Sequence, residues 1–127
     1  MDSPMKILVV EDTLIAQMIM KTHLTQIGFE VDVASDGVTA IEKGLNNSYD
    51  LILMDIGLGN GPDGFETAIS IKNKSKLNKD TPIMAVTAHS GTEYEVKARD
   101  CGMVGYFKKP FKPADAEIIM AQLKNKK

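Results

Sequence analysis

The residues best suited to chemistry are polar ones that close apolar runs. Glu11 and Asp12 follow Ile7-Leu8-Val9-Val10, Asp55 follows Leu51-Ile52-Leu53-Met54, and Thr87 follows Ile83-Met84-Ala85-Val86. Lys108, Lys109 and Pro110 follow a weaker run, Val104-Gly105-Tyr106-Phe107. Brought to one place, three ionised carboxylates repel one another at a cost that a cation would relieve. Mg²⁺ suits such a set, because it takes oxygen ligands octahedrally, keeps several waters and commonly shares its shell with phosphate oxygens. Singly, each acid has a plainer use, and Asp12 before Thr13 could cap a helix.

Whether these groups meet depends on the elements that carry them. The three continuous apolar runs have the character of strands buried on both faces. Glu30-Val31-Asp32-Val33-Ala34 alternates as a half-exposed edge strand would, and 104–107 makes a fifth candidate. Helical spacing places Ala16, Ile19, Met20, Leu24 and Ile27 on one face, with Gly28 ending that helix. Val38, Ile41 and Leu45 mark a second helix, Phe65, Ala68 and Ile69 a third. Tyr94, Ala98 and Cys101 mark a poorer fourth, and Ala116, Ile119, Met120 and Leu123 a fifth. Five strand–helix units in so short a chain imply an α/β domain with a parallel sheet, right-handed crossovers and helices on both faces. Alternation alone leaves the strand order open, but ligands in such sheets bind beyond the carboxyl ends of the strands. That is the rim where Glu11, Asp12, Asp55, Thr87 and Lys109 would stand.

Composition agrees with one soluble domain over 1–127, with 1–5 as an N-terminal extension and 124–127 as a basic tail. The 127 residues are 43% hydrophobic and 25% charged, a balance that supports a packed core. Fifteen Lys and Arg against 17 Asp and Glu give a net charge of -2, which offers no global field for nucleic acid. Lysines 72, 74, 76 and 79 read as a solvated face. The one cysteine, Cys101, excludes an internal disulfide, and with two histidines leaves no usual zinc set. No apolar run approaches the length of a membrane span. The expected location is the cytoplasm, without membrane insertion.

Val9-Val10-Glu11-Asp12, Leu53-Met54-Asp55, Val86-Thr87-Ala88 and Lys109-Pro110-Phe111 together resemble the receiver domains of two-component response regulators, in order and across nearly the whole chain. The resemblance implies a flavodoxin-like (βα)5 fold of strand order 2-1-3-4-5. It implies Asp55 as phosphoacceptor, Asp12 and Asp55 as direct Mg²⁺ ligands, Glu11 as a ligand through water and the Gly57 carbonyl as a further ligand. Lys109 would pair with the acids and then with the phosphoryl group, across a peptide to Pro110 that is often cis. Thr87 and Tyr106 would form the switch, read out on the face of helix 4, strand 5 and helix 5. Gly57 and His89 occupy positions that influence phosphoryl lifetime in the family. The implied partner is a sensor histidine kinase or a histidine phosphotransfer domain, in a stand-alone regulator or a hybrid kinase. Self-catalysed phosphorylation and dephosphorylation would be the only turnover.

The sequence departs from the family between Asp55 and Asp63-Gly64. Gly59 stands where a proline is usual, and the Asp-Gly pair comes one residue late. Three glycines in 57–62 predict a mobile or unusually shaped loop in the absence of metal. With no side chain at position 57, the site is expected to be open to a docked phosphotransfer histidine. Two other functions fit some of these features: an interaction module that works without phosphorylation, and a haloacid dehalogenase-type phosphohydrolase. The second places its nucleophile in an Asp-x-Asp pattern after strand 1, whereas this chain has Glu11-Asp12-Thr13. His23, between apolar helical positions, reads as structural.

Overall fold

The computed structural model describes residues 4–59, 61–88 and 91–125. Five strand–helix units follow in order: β1 Lys6–Val10, α1 Leu14–Gln26, β2 Glu30–Ala34, α2 Gly37–Asn46, β3 Leu51–Met54, α3 Gly64–Lys74, β4 Ile83–Thr87, α4 Thr92–Asp100, β5 Gly105–Lys108 and α5 Pro113–Lys124. All strands are parallel in the order β2-β1-β3-β4-β5, as the resemblance implies. The winding reverses at β1 and β3, so their carboxyl ends flank the crevice where such sheets bind ligands.

The continuous apolar runs are explained by two cores. Leu8, Val10, Ile52, Met54, Ile83 and Ala85 face one, with Ala40 of α2, Phe65, Ala68 and Ile71 of α3 and Ala98 of α4. Ile7, Val9, Leu51, Leu53, Met84 and Val86 face the other, with Met20 and Leu24 of α1 and Ala116, Ile119 and Leu123 of α5. Each strand residue therefore lies against helices whichever way it points.

Helix boundaries follow local chemistry. Gly28, at φ 109°, leaves α1 in a conformation that disfavours other residues, and its N–H donates to Thr25 while that of Phe29 donates to Leu24. This pair of bonds is a Schellman stop, as the glycine predicts. Asp36 caps α2 by accepting from the Thr39 N–H at 2.8 Å, and Asp63 and Glu66 form a capping box on α3.

The helical periodicity misplaces part of the packing. Val38, Leu45, Ile19 and Ile69 are exposed, and Ile41 is only half-buried. α2 instead buries Gly37, Ala40 and Gly44. A Cβ on Gly37 would stand 2.4 Å from Thr67 Oγ1, and one on Gly44 would stand 3.5 Å from Ile71. The helices approach so closely that small residues, which carry little hydrophobic signal, form the contact. β5 begins one residue later than the apolar run, leaving Val104 exposed. No helix among the described residues is long and apolar enough to cross a membrane.

Candidate functional site

Strand register brings the predicted residues to one level. Val10 pairs with Ala34 and Met54, Met54 with Ala85, and Thr87 with Lys108. The Asp55 N–H donates to Val10 O at 2.9 Å and the Lys109 N–H to Thr87 O at 2.9 Å, so the ladder continues one residue past the strand ends. Glu11, Asp12, Asp55, Thr87 and Lys109 thus share the carboxyl rim.

Carboxylate oxygens of Glu11, Asp12 and Asp55 lie within 4.8 Å of one another. Glu11 and Asp55 are buried, while Asp12 is exposed. Lys109 Nζ contacts Glu11 Oε1 and lies 3.2 Å from Asp55 Oδ2. The second oxygens are also held: Glu11 Oε2 accepts from the Thr13 N–H at 2.9 Å and Asp55 Oδ1 from the Gly57 N–H at 2.9 Å. Burial pushes the Glu11 carboxyl above its ordinary value, and Asp55 adds to that push, while Lys109 and the Thr13 N–H offset it only in part. Burial alone would lower the Lys109 ammonium, but its bond to Glu11 and the charges of Asp55 and Glu11 outweigh this and hold it up.

One ammonium faces three carboxylates, and the imbalance favours a further cation. The donors are hard oxygens only, and Asp12, the most open of the three, leaves room for water in the shell. This set fits a divalent ion of the Mg²⁺ kind. Asp12 and Asp55 could hold it directly, with Glu11, already engaged by Lys109, further out.

The remaining predicted residues are placed as follows. Thr87 is fully buried at the end of β4. Tyr106 is half-buried on β5 beside Glu95 and Arg99 of α4, and burial raises its hydroxyl pKa, with help from Glu95 and Tyr94. Lys108 points to solvent, and the Lys109-Pro110 peptide is cis. Gly57 is exposed beside Asp55. His89 lies outside the described residues. His23 is half-buried, its ring stacked 6.5 Å from that of Phe111.

The altered segment after Asp55 is anchored to the site. Leu58 is buried in the core, and the Gly59 N–H donates to Asp12 Oδ2 at 3.2 Å. A proline at 59 could not make this bond. Gly64 opens α3 against the acceptor strand, where a Cβ would meet Asp55 O at 2.4 Å and Ile56 Cα at 2.5 Å. Sequence reasoning also misses Gln17, whose amide donates to Glu11 O at 2.6 Å and to Ser35 Oγ at 3.3 Å. A lone polar residue in an amphipathic helix gives no signal of that kind.

The response regulator receiver domain profile matches residues 7–121. The response regulator ArlR of Staphylococcus saprophyticus is 37% identical over 119 residues, which cover 94% of this chain and 50% of that protein. Hybrid signal transduction histidine kinase B of Dictyostelium discoideum is 39% identical over 125 residues, covering 91% of this chain and 6% of that protein. The chain spans about half the length of the curated response regulators it matches. Among solved structures, a CheY-like receiver domain protein of Methanospirillum hungatei superposes with a TM-score of 0.86 at 28% identity, covering 97% of this chain and 96% of that one. The receiver domain of a sensor histidine kinase from Pseudomonas aeruginosa, crystallised with a magnesium ion coordinated in its active site cleft, gives 0.85 at 29% identity, covering 96% and 98%. With its motifs on the carboxyl rim of a 2-1-3-4-5 sheet, this chain belongs to the response regulator receiver domains of two-component signalling.

Proposed function

We propose that Asp55 accepts a phosphoryl group from a partner's phosphohistidine and that the domain relays the event by a change of conformation. The observation that carries this reading is Lys109, which contacts Glu11 and Asp55 together and keeps a positive charge where phosphoryl oxygens would arrive. A carboxylate oxygen of Asp55 forms the new bond to phosphorus as the bond from phosphorus to the donor imidazole breaks, giving an acyl phosphate and a free histidine. The donor is already activated, so the residues contribute positioning and charge neutralisation. Lys109 passes from the carboxylates to the phosphoryl oxygens, and the Gly57 N–H, now on Asp55 Oδ1, is placed to help.

Asp12, Asp55 and the Gly57 carbonyl would hold Mg²⁺, with Glu11 acting through water; the bound ion would neutralise phosphoryl oxygens. Attack of water on the acyl phosphate resets the switch. Gly57 brings no side chain to hinder it, and His89 is the other candidate for setting its rate. The phosphoryl oxygens carry about -1.5 to -2 charge in place of the single charge of the Asp55 carboxylate; they draw the Thr87 hydroxyl inward, and Tyr106 follows into the space on the β4–β5 side. The donor, a sensor histidine kinase or histidine phosphotransfer domain, would approach over α1, where Leu14, Ile15 and Met18 are exposed beside a groove of about 470 Å³ walled by Lys109, Pro110 and Phe111.

Adding Mg²⁺ with beryllofluoride, a phosphoryl mimic, tests this reading by amide NMR. The expected result is large shifts at residues 55–59, 87 and 106 in the wild type and none in Asp55→Ala. Equal responses in the two proteins would overturn it.

A further inference from the structure

α1 begins without the usual anchors. Its N-cap, Thr13, makes no side-chain capping bond, and its first turn carries no acid. The Thr13 N–H is taken instead by Glu11 Oε2, and the Thr13 hydroxyl lies 3.4 Å from Asp12 Oδ1. What ties this turn to the sheet is the half-buried Gln17, whose amide donates to Glu11 O at 2.6 Å and reaches Ser35 Oγ, just past β2, at 3.3 Å. Its neighbours Leu14, Ile15 and Met18 are all exposed. One side chain therefore joins the ends of β1 and β2 to the helix that follows the acid pair.

We propose that Gln17 is a positioning residue for Glu11 and Asp12, fixing the peptide that carries them and thereby the geometry they offer a divalent cation. This rests on the reading of the acid cluster as a cation site. The Glu11 carbonyl is held from outside the cluster, so Gln17 touches neither ion nor phosphoryl group. Outer-shell partners of metal ligands typically change affinity 10- to 100-fold. Acting through the backbone, Gln17 belongs at the lower end, about 10-fold.

The test is a Mg²⁺ titration of wild type, Gln17→Leu, Gln17→Glu and Asp12→Asn, followed by the amide resonances of Asp55 and Gly57 under conditions where urea melts show each protein folded. Leucine removes the donor without adding charge. Glutamate removes it and adds a negative charge, which by Coulomb attraction alone would tighten cation binding. Both Gln17 variants are expected to bind about 10-fold more weakly than wild type, and the wild-type Gln17 side-chain amide is expected to shift with the same midpoint as Asp55. A leucine variant within about twofold of wild type, or a glutamate variant that binds more tightly, overturns the proposal. If neither variant folds, an unmoved Gln17 amide resonance in the wild type overturns it. Wild type that does not bind Mg²⁺, or Asp12→Asn that binds as well as wild type, overturns the cation site itself and the role of Gln17 with it.

Discussion

Lys109 Nζ lies 3.2 Å from Asp55 Oδ2 although the residues are 54 apart in sequence and the strands they follow, β5 and β3, are separated by β4. The lysine spans the end of β4, and its own N–H donates to Thr87 O at 2.9 Å. The proposed acceptor, the backbone of the switch residue and the charge-neutralising group are thus linked through Lys109 before any phosphoryl group arrives.

Replacing Lys109 by methionine removes the contact that opposes the rise of Glu11. The Glu11 carboxyl is expected to titrate at a still higher pH than in wild type, measured by carboxyl ¹³C NMR. Phosphorylation by acetyl phosphate should slow by about 100-fold, the scale of losing one preorganised donor to a developing anion. A Glu11 titration that stays in place or falls would contradict the assigned contact.

Gly64→Ala should disturb the acceptor from outside the site. Its Cβ would fall 2.4 Å from Asp55 O, which is backbone and cannot swing aside. The expected cost is about 1–3 kcal/mol, read from urea midpoints, together with a weakened beryllofluoride response. A variant as stable and as responsive as wild type would show that α3 does not abut Asp55 this closely.

At the opposite end of the sheet, fully buried Asn78 accepts from the Tyr49 N–H and the Thr81 hydroxyl and donates to Gly44 O and Asn47 O. Asn78→Ala leaves several of these groups buried without partners. It should destabilise the fold by about 3 kcal/mol while leaving Mg²⁺ affinity unchanged. Urea melts and a metal titration on the same samples separate the two effects.

Acid stability should depend on Asp32. Burial alone would raise its carboxyl, but the Tyr49 hydroxyl, donating at 2.8 Å, and Lys6, 3.5 Å away, outweigh this and lower it below its ordinary value of 3.8. A carboxylate lowered on folding stabilises the fold fully above its unfolded value, and the contribution disappears as pH falls through the folded value. Asp32→Asn should therefore lose stability near neutrality and show a flatter decline below about pH 4. An unchanged acid limb in urea melts would contradict the assigned bonds.

The parts of this fold legible in sequence are those written in residue type at strand ends. Buried runs flanked by Glu11-Asp12, Asp55, Thr87 and Lys109 place the rim, because continuous apolar strands need helices on both faces and leave polar chemistry to their carboxyl ends. Less legible is whatever depends on close approach. The α2–α3 contact runs through Gly37, Ala40 and Gly44, which carry little hydrophobic signal, and the exposed Val38 and Leu45 mislead the periodicity. Single hydrogen bonds across the chain are invisible for the same reason: the Gly59 N–H on the Asp12 side chain and the Gln17 side-chain amide on the Glu11 carbonyl depend on the path of the chain rather than on a motif.

The central claim is that Asp55 takes the phosphoryl group, and the most direct measurement is mass spectrometry of the protein incubated with Mg²⁺ and acetyl phosphate, with the modified peptide mapped. The wild type should gain one phosphoryl group, located on Asp55 and lost in Asp55→Ala or when Mg²⁺ is removed with EDTA. A wild type that gains no phosphoryl group, or an Asp55→Ala variant that gains the same mass, would contradict it.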